Sequence, residues 1–226
     1  MFSMHFLLNH RSSGRVGLFV DLAQKFINDL QCASNVDEQV TLPFSIFPLD
    51  DQRDGTRLSA TPVHLAAAYG KDDIVAILIN ASDLNKKDQD VTALSLVLYC
   101  GHRRLARMLL ENGARPNCSP NISSLHAAAR RGFKEEMEQF VKGSKVDPDI
   151  EDKDGATPIV YALQQPEKEA WETICFLFYL GAAKDLVVGD GLWTYAELAR
   201  GMGKDWLADK LEEASDDASS RTMDFE

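Results

Sequence analysis

The chain of 226 residues contains only four cysteines, and no two of them form a C-x-x-C motif. They are spread over positions 32, 100, 118 and 175, and no cysteine–histidine cluster has the local spacing of a structural zinc site. Scattered thiols of this kind are typical of reduced, intracellular proteins, in which they act as small apolar groups. We therefore expect a cytoplasmic or nuclear protein with no metal and no cofactor, and the sequence gives no reason to expect a disulfide.

The sequence also lacks a long hydrophobic run and an excess of positive charge. No stretch is apolar for long enough to cross a bilayer, and the short apolar patch at the N-terminus is interrupted by His5 and Asn9 and has no convincing cleavage site. We expect neither a membrane-bound nor a secreted protein. The formal net charge of −11 argues against direct binding of nucleic acid, because a surface of that sign repels phosphates.

The sequence does contain an internal repeat. Similar ten-residue segments begin at Thr61 (TPVHLAAAYG), Thr92 (TALSLVLYCG) and Ser123 (SSLHAAARRG), each 31 residues after the one before. A fourth copy, DGATPIVYAL, places Thr157 34 residues after Ser123, and a last copy begins at DGLWTYAELA. Self-similarity with a period just above thirty residues is typical of stacked repeat proteins.

Each copy has the features of two short antiparallel helices. A serine or threonine hydroxyl can cap the first helix, and Pro62 and Pro158 suit its first position. Gly70, Gly101 and Gly132 permit the left-handed conformation that ends this helix, and an apolar stripe at helical spacing then marks the second one. One such pair cannot bury its own apolar face, but a stack of pairs can.

The chain resembles ankyrin repeat proteins in the segments TPVHLAAAYGKDDIVAILI and GHRRLARMLLENGARPN, which follow the pattern centred on T-P-L-H-x-A. The resemblance implies an all-α ankyrin-repeat solenoid of about five stacked helix pairs with short hairpin loops, over residues 58–214. The second unit lacks the proline and the histidine of the pattern, the third lacks the proline, and the fourth has Val160 in place of the histidine.

The segments on either side of the repeats have a different character. Residues 1–57 are predicted to form a lead-in, with an amphipathic helix at 15–31 and an extended strap at 41–49. A degenerate extra repeat starting near His5 is the alternative for this lead-in. Residues 215–226 are acidic and poor in large apolar groups, so we predict a disordered tail.

Local departures from the period predict three further features. The loop at 149–157 has the usual length of an ankyrin finger, so we expect the best-formed finger there. An insertion in the fourth unit predicts a second helix that begins at Pro166, is extended by about one turn and buries Trp171, Ile174, Cys175 and Phe178. In the last unit we predict a capping box of Thr194 and Glu197, and a second helix with Trp206, Leu207 and Leu211 inward.

The segment SSLHAAARRG raises the alternative of a catalytic site. Ser123 and His126 could act as nucleophile and base, but no third group that would orient them can be identified. Both residues occupy repeat positions, those of Thr61 and His64 in the first unit. The resemblance therefore implies a helix cap and an imidazole that makes structural hydrogen bonds, and we predict a protein that is not an enzyme.

In ankyrin-like stacks the partner-binding surface consists of the fingertips and the exposed positions late in each first helix. Carried over to this chain, the helix positions are occupied by Tyr69, Tyr99, Arg130, Arg131, Gln164 and Gln165, and the fingertip by Lys153 and Asp154. Tyrosine and arginine are enriched at binding hot spots. For both tyrosines, packing against the neighbouring unit is the alternative role.

We predict a protein–protein interaction module, an adaptor or scaffold, that binds a partner protein through its concave face. Arg130 and Arg131 are expected to receive an acidic segment of that partner, and the exchange of both for Glu is expected to abolish capture without changing the melting temperature. The resemblance also allows a transcriptional co-regulator or inhibitor that docks on a DNA-binding transcription factor. An enzyme or small-molecule binder would require a pocket near Trp171 or beneath the strap.

Overall fold

The structure, a computed structural model, describes residues 39–41, 57–59, 62–79, 84–85, 91–119, 121–189 and 191–222. A short antiparallel strand pair comes first: β1 (Gln39–Thr41) pairs with β2 (Arg57–Ser59), with Gln39 opposite Ser59. The predicted helix at 15–31, the alternative repeat near His5 and all of the strap except Thr41 lie outside the described residues. Thr41 is the last residue of β1.

The described helices form pairs, as the repeat predicts. The pairs are α1 (Pro62–Ala68) with α2 (Asp72–Leu78), α3 (Ala93–Cys100) with α4 (Arg103–Glu111), α5 (Ser124–Arg131) with α6 (Lys134–Glu138), α7 (Pro158–Ala162) with α8 (Glu167–Tyr179), and α9 (Tyr195–Gly201) with α10 (Asp205–Thr222). A π-helical turn, Gln139–Gly143, continues α6. Two short strands, β3 (Val187–Val188) and β4 (Trp193–Thr194), form a hairpin before α9.

The first helices of the pairs, which we call the inner helices, pack against one another in chain order. Because α3 and α5 each have an inner helix on both sides, nearly every residue of the two is buried. Ala127, Ala128 and Ala129 have no exposed surface, and their small side chains let neighbouring inner helices approach closely. Leu125 is fully buried in the same helix, where exchange of a leucine for alanine costs about 2–5 kcal/mol. The all-α repeat stack is confirmed.

Both ends of the inner helices follow the predicted chemistry at most positions. The hydroxyls of Thr92, Ser123 and Thr194 each accept the main-chain N–H three residues on, and Thr194 and Glu197 form the predicted capping box. At the other end, the glycines that follow α1, α3 and α5 are left-handed, with φ values of 62°, 88° and 66°.

Thr157 departs from this prediction. It stands immediately before α7, but its hydroxyl caps no main-chain N–H. That hydroxyl instead forms a buried hydrogen bond of 2.9 Å with the phenol of Tyr195, from the next helix pair. The hydroxyl therefore joins two units rather than ending a helix. Thr61, its counterpart in the first unit, lies outside the described residues.

The fourth helix pair has the predicted long second helix, with 13 residues in α8 against 9 in α4. Pro166 occupies the cap position just before it. The buried stripe differs from the prediction: Cys175 is exposed, Trp171 and Phe178 are half-buried, and the buried side chains are those of Ala170, Thr173, Ile174 and Leu177. A stripe shifted by one position satisfies the same helical spacing, and sequence alone does not distinguish the two.

The last unit differs from the prediction in three respects. Leu207 and Leu211 are buried as predicted, but Trp206 is 42% exposed, since it precedes the inward-facing stripe of α10. The helix also runs on to Thr222, past the predicted start of the tail at 215. The finger with paired strands is β3–β4, whereas the loop at 149–157 contains no strand.

Candidate partner-binding surface

The two arginines at the end of α5 reach back to the preceding inner helix. Arg131 donates its Nε–H to the main-chain oxygen of Tyr99 at 2.7 Å, and Arg130 Nη1 lies 3.3 Å from the same oxygen. Arg130 Nε also donates to Gln164 Oε1 of the next unit at 2.7 Å. Four of the predicted binding residues, from three successive units, are thus brought into one contiguous group.

Tyr99 is not an exposed member of this group. Its side chain packs in the core with only 5% of the residue exposed, and the Arg130 guanidinium lies over its ring, 4.2 Å from the ring centre. Burial raises the pKa of the Tyr99 phenol, although the two arginines lower it in part. The expectation of an exposed Tyr99 is therefore wrong, and the residue acts as a platform for Arg130. Tyr69 is exposed.

The glutamines repeat the arginine geometry one unit later. Gln165 Nε2 donates to the main-chain oxygen of Ala129 at 2.5 Å, and Thr173 Oγ1 donates to Gln165 Oε1 at 3.1 Å. Gln165 therefore does for the end of α5 what Arg131 does for the end of α3. Positions 131 and 165 therefore differ in charge, but both side chains donate a hydrogen bond to a main-chain oxygen of the preceding inner helix.

Two residues that sequence reasoning missed extend this pattern at either end of the stack. His102 Nε2 donates to the oxygen of Ala68 at 3.3 Å, and Lys204 Nζ donates to the oxygens of Leu163 and Gln165. We call this series of side-chain-to-carbonyl bonds the carbonyl ladder. Its signal in the sequence is a polar donor next to the glycine that follows an inner helix, as at His102, Arg131 and Lys204, whereas Gln165 has no glycine beside it.

The predicted fingertip lies at the other end of the inner helices. Lys153 and Asp154 precede the start of α7, whereas the arginines end α5, and the Lys153 ammonium is 3.9 Å from the Asp154 carboxylate. Asp152 holds this loop: Oδ1 accepts the N–H groups of Asp154 and Ala156, and Oδ2 accepts the hydroxyl of Tyr161 at 2.7 Å. Burial raises the pKa of Asp152, and these hydrogen bonds lower it in part.

The Ser123–His126 pair is a structural cap. Ser123 Oγ lies 2.9 Å from His126 Nδ1, which also accepts the Ser123 N–H at 3.1 Å, and Nε2 donates to the oxygen of Ala156 at 3.0 Å. Both residues are buried, so a substrate cannot reach them. Burial lowers the pKa of His126 to about 4, so that the imidazole is neutral at pH 7. The predicted helix cap and structural imidazole are confirmed.

The arginines of α4 are occupied by carboxylates of neighbouring second helices. Arg103 Nε donates to the buried Glu136 at 2.6 Å, Arg107 lies 3.2 Å from Glu135, and Arg104 pairs with Asp72. A cavity of about 420 Å³ is lined by Arg103, Arg104, Arg107, Met108 and Glu111. Trp171, beside which a ligand pocket was one expectation, does not line this cavity, and the predicted strap, the other expected place, lies outside the described residues except for Thr41.

Within the described part of the chain, no helix has both the length and the apolarity that a membrane crossing needs. The same residues contain no group of three or more histidine, cysteine or acidic side chains close enough to hold a metal ion.

Comparison with known proteins agrees with this geometry. The family model of ankyrin repeats in three copies matches residues 30–120, a range that begins ahead of the predicted boundary at 58. The probable 26S proteasome regulatory subunit p28 of Saccharomyces cerevisiae is 31% identical over 149 residues, which cover 63% of this chain and 64% of the yeast protein. Alpha-latrotoxin-Lhe1a of Latrodectus hesperus and alpha-latrotoxin-Lt1a of Latrodectus tredecimguttatus are each 28% identical over 163 residues.

The match to each of these two toxins covers 66% of this chain but only 11% of the toxin, so the chain corresponds to a small part of them. In this chain the matched range contains helix pairs, with a hydroxyl cap at the start of α3 and left-handed glycines after α1 and α3. From the match of the family model at residues 30–120 and the stacked pairs that continue beyond residue 120, we conclude that the chain contains ankyrin repeats.

Proposed function

We propose that this chain is a non-enzymatic adaptor that binds an acidic segment of a partner protein at Arg130 and Arg131. Ankyrin repeats are protein–protein interaction modules and are in general not catalytic, and the chain carries them over most of its described length. The single observation that carries the proposal is the placement of two adjacent guanidinium groups at the ends of the inner helices.

The bonds that hold the two arginines leave donors free for a partner. A guanidinium has five N–H groups. Arg130 uses its Nε and one terminal nitrogen, and Arg131 uses its Nε, in bonds to Gln164 and the Tyr99 carbonyl. Among the described residues, no carboxylate lies within 4.0 Å of either guanidinium, whereas Arg103, Arg104 and Arg107 are all paired.

An acidic segment would also relieve a local electrostatic cost. Partial burial lowers the pKa of Arg131, and the adjacent charge of Arg130 lowers it further. Two like charges side by side repel each other, and a carboxylate between them turns that repulsion into charge-assisted hydrogen bonds. A planar guanidinium, already held by Nε, is oriented for such bonds before the partner arrives.

The chain offers its own neutral replacement for the test. Gln164 and Gln165 occupy the positions of Arg130 and Arg131 one unit later, so R130Q/R131Q removes two charges while keeping a donor for the Tyr99 carbonyl. The exchange of both arginines for Glu would remove that donor, so the expected unchanged melting temperature no longer holds for the Glu variant. R104Q/R107Q is the matched control, because it removes two charges from the exposed side of α4.

The probe is a fluorescently labelled peptide of six glutamates, followed by anisotropy at two salt concentrations. We expect R130Q/R131Q to weaken binding about tenfold, R104Q/R107Q to change it less than about twofold, and added salt to weaken the wild-type complex. Equal affinities for the wild type and R130Q/R131Q would refute the proposal. If the peptide binds as expected, affinity purification with the wild type and both variants identifies the cellular partner whose binding depends on the arginine pair.

The similarity to yeast p28 favours a narrower second candidate, in which the partner is a subunit of the 26S proteasome. This candidate rests on the role of that relative alone. Native gels of cell extract probed for the chain would show it migrating with proteasome complexes, and migration only at lower mass would exclude the candidate. Docking on a transcription factor is supported by the family resemblance alone; co-purification of such a factor from nuclei tests it.

A further inference from the structure

The turn after α4 contains an asparagine followed by a glycine, Asn112–Gly113, and both residues are exposed. No other asparagine of the sequence precedes a glycine. Glycine has no Cβ to shield its main-chain nitrogen, and its dihedral angles are the least restricted of any residue. Its nitrogen can therefore reach the side-chain amide carbon of the preceding asparagine, and attack on that carbon is the first step of deamidation.

This reaction needs no reactant other than water. The Gly113 nitrogen loses its proton and forms a bond to Asn112 Cγ, while the bond from Cγ to Nδ2 breaks and ammonia leaves. Water then opens the resulting succinimide ring at either carbonyl. The product is an aspartate or an isoaspartate, and in the isoaspartate the main chain is longer by a carbon atom. Either product carries a negative charge that asparagine lacks.

The folded turn keeps the two reacting groups apart. Asn112 has φ −95° and ψ 18°, so the main chain is still close to helical. The Gly113 N–H donates to the oxygen of Leu110 at 3.1 Å, and Asn112 Nδ2 donates to the oxygen of Met108 at 2.8 Å. Attack requires that the Gly113 nitrogen and Asn112 Cγ turn toward each other, which breaks both hydrogen bonds.

A side chain of the preceding unit fastens this turn. Asn85, in the loop between the first two helix pairs, donates from Nδ2 to the oxygen of Gly113 at 2.8 Å, and its Oδ1 accepts the Arg115 N–H at 2.7 Å. Between these two bonds Ala114 is buried, and its N–H donates to the oxygen of Leu109 at 3.0 Å. The turn can therefore open only when its contact with the preceding unit is lost.

We propose that Asn112–Gly113 is a site of spontaneous deamidation that Asn85 holds closed. Separation of the first two units opens the turn and allows the reaction to start. The product then prevents full closure, because a carboxylate at position 112 cannot donate to the Met108 oxygen and lies beside Glu111 at the negative end of α4. The site thus keeps a covalent record of that separation. The reaction involves no residue of the arginine pair, so it does not rest on the function proposed above.

The test incubates the full chain at neutral pH and follows the peptide that contains residue 112 by mass spectrometry. We expect N85A, which removes both fastening bonds, to deamidate at Asn112 about tenfold faster than the wild type. Y161F is the matched control, because it removes a buried hydrogen bond from a different unit, and it should change the rate less than about twofold. Asn117, which precedes Cys118, is the internal reference in each digest.

A second measurement needs no variant at Asn85. The wild type is incubated both folded and in urea at a concentration that unfolds it, and we expect deamidation at Asn112 to be at least about tenfold faster in the unfolded chain. Equal rates would show that the folded turn gives no protection, and the proposal fails. N112Q tests the assignment, since a product that persists in this variant would place the reaction elsewhere and overturn the proposal.

The comparison of variants then tests the role of Asn85. Faster deamidation in N85A alone, with the stack still folded by circular dichroism, supports the proposal. Equal rates in N85A and the wild type would show that Asn85 does not hold the turn closed. Equal acceleration by Y161F would mean that the reaction follows unfolding of the whole chain rather than opening of this turn, and it would also overturn the proposal.

Discussion

The Nε–H of Arg131 donates to the main-chain oxygen of Tyr99 at 2.7 Å, and so a side chain from one helix pair completes the helix end of the pair before it. The last carbonyls of a helix have no partner within the helix and carry partial negative charge, which makes them good acceptors for a cation. Gln165 makes the equivalent bond to Ala129 without a charge. A neutral donor is therefore sufficient for the structural role of this position, and the positive charge of Arg131 remains available for binding a partner.

The Arg131 side chain is predicted to stabilise the stack through its donor rather than through its charge. Arg131→Leu leaves the largely buried Tyr99 carbonyl without this donor and should lower the free energy of unfolding by about 1–3 kcal/mol. Arg131→Gln should lose much less. Urea denaturation followed by circular dichroism measures both, and an equal loss in the two variants would contradict a role for the carbonyl bond.

The two buried histidines predict a loss of stability in mild acid. Burial lowers the pKa of His126 and of His64 to about 4, whereas the unfolded side chains titrate near 6.5. Below pH 6.5 the unfolded chain binds protons that the folded chain does not. The stabilisation that the two neutral histidines contribute is therefore fully present above pH 6.5. The free energy of unfolding falls as the pH decreases from 6.5 toward 4, by up to about 1.4 kcal/mol per pH unit for each histidine.

The variant His126→Gln isolates one of these contributions. It lowers stability at pH 7, because the bonds to Ser123 and Ala156 are disturbed, but it should also reduce the slope of stability against pH between 6.5 and 4. Parallel stability curves for the wild type and the variant would show that His126 is not the titrating group.

Gly132 is predicted to tolerate a side chain less well than Gly113. Both are left-handed, with φ values of 66° and 88°, so alanine costs about 1–2 kcal/mol at either position. A Cβ at Gly132 would also lie 3.1 Å from Thr173 Oγ1 and 3.2 Å from Gln165 Oε1, whereas nothing lies within 4 Å at Gly113. We expect Gly132→Ala to be the more destabilising by about 1 kcal/mol in thermal melts. Equal melting temperatures would rule out the contact.

The phenol of Tyr161 is predicted to hold the loop before α7. Tyr161→Phe removes the donor to Asp152 Oδ2 and leaves a buried carboxylate oxygen with one partner fewer, at a cost of about 1–3 kcal/mol. Hydrogen exchange at the Ala156 amide, which donates to Asp152 Oδ1, should also become faster. Unchanged exchange would show that the two main-chain donors suffice to hold Asp152.

The sequence was most informative where local chemistry decides the structure. The cap at Ser123, the box at Thr194 and the left-handed glycines depend on residues three or four positions apart, and all were predictable. Thr157 has the same local chemistry as Ser123, but its hydroxyl bonds to Tyr195, 38 residues away. The pairing of distant units is not encoded in a local pattern.

The sequence predicted which side chains of successive inner helices would lie together, but not how exposed each of them would be. The period brought Tyr99, Arg130 and Gln164 to equivalent positions of successive units, and the structure places them together. That Tyr99 lies beneath Arg130 follows from the length of the arginine side chain, which reaches across one unit to cover the ring. Trp206 differs in the opposite sense, because it was predicted to be buried and is exposed. A shift of one residue in the helical phase of α10 puts this large apolar side chain on the outer side.

The carbonyl ladder has a direction, since its donors belong to the unit that follows in the chain. During synthesis on a ribosome, each newly emerged inner helix therefore has its final carbonyls hydrated until the next stretch of about thirty residues has left the exit tunnel and folded onto it. When the stack assembles from the amino end, each unit gains these hydrogen bonds only after the next unit has folded. A nascent chain stalled before Lys204 would leave the oxygens of Leu163 and Gln165 in contact with water.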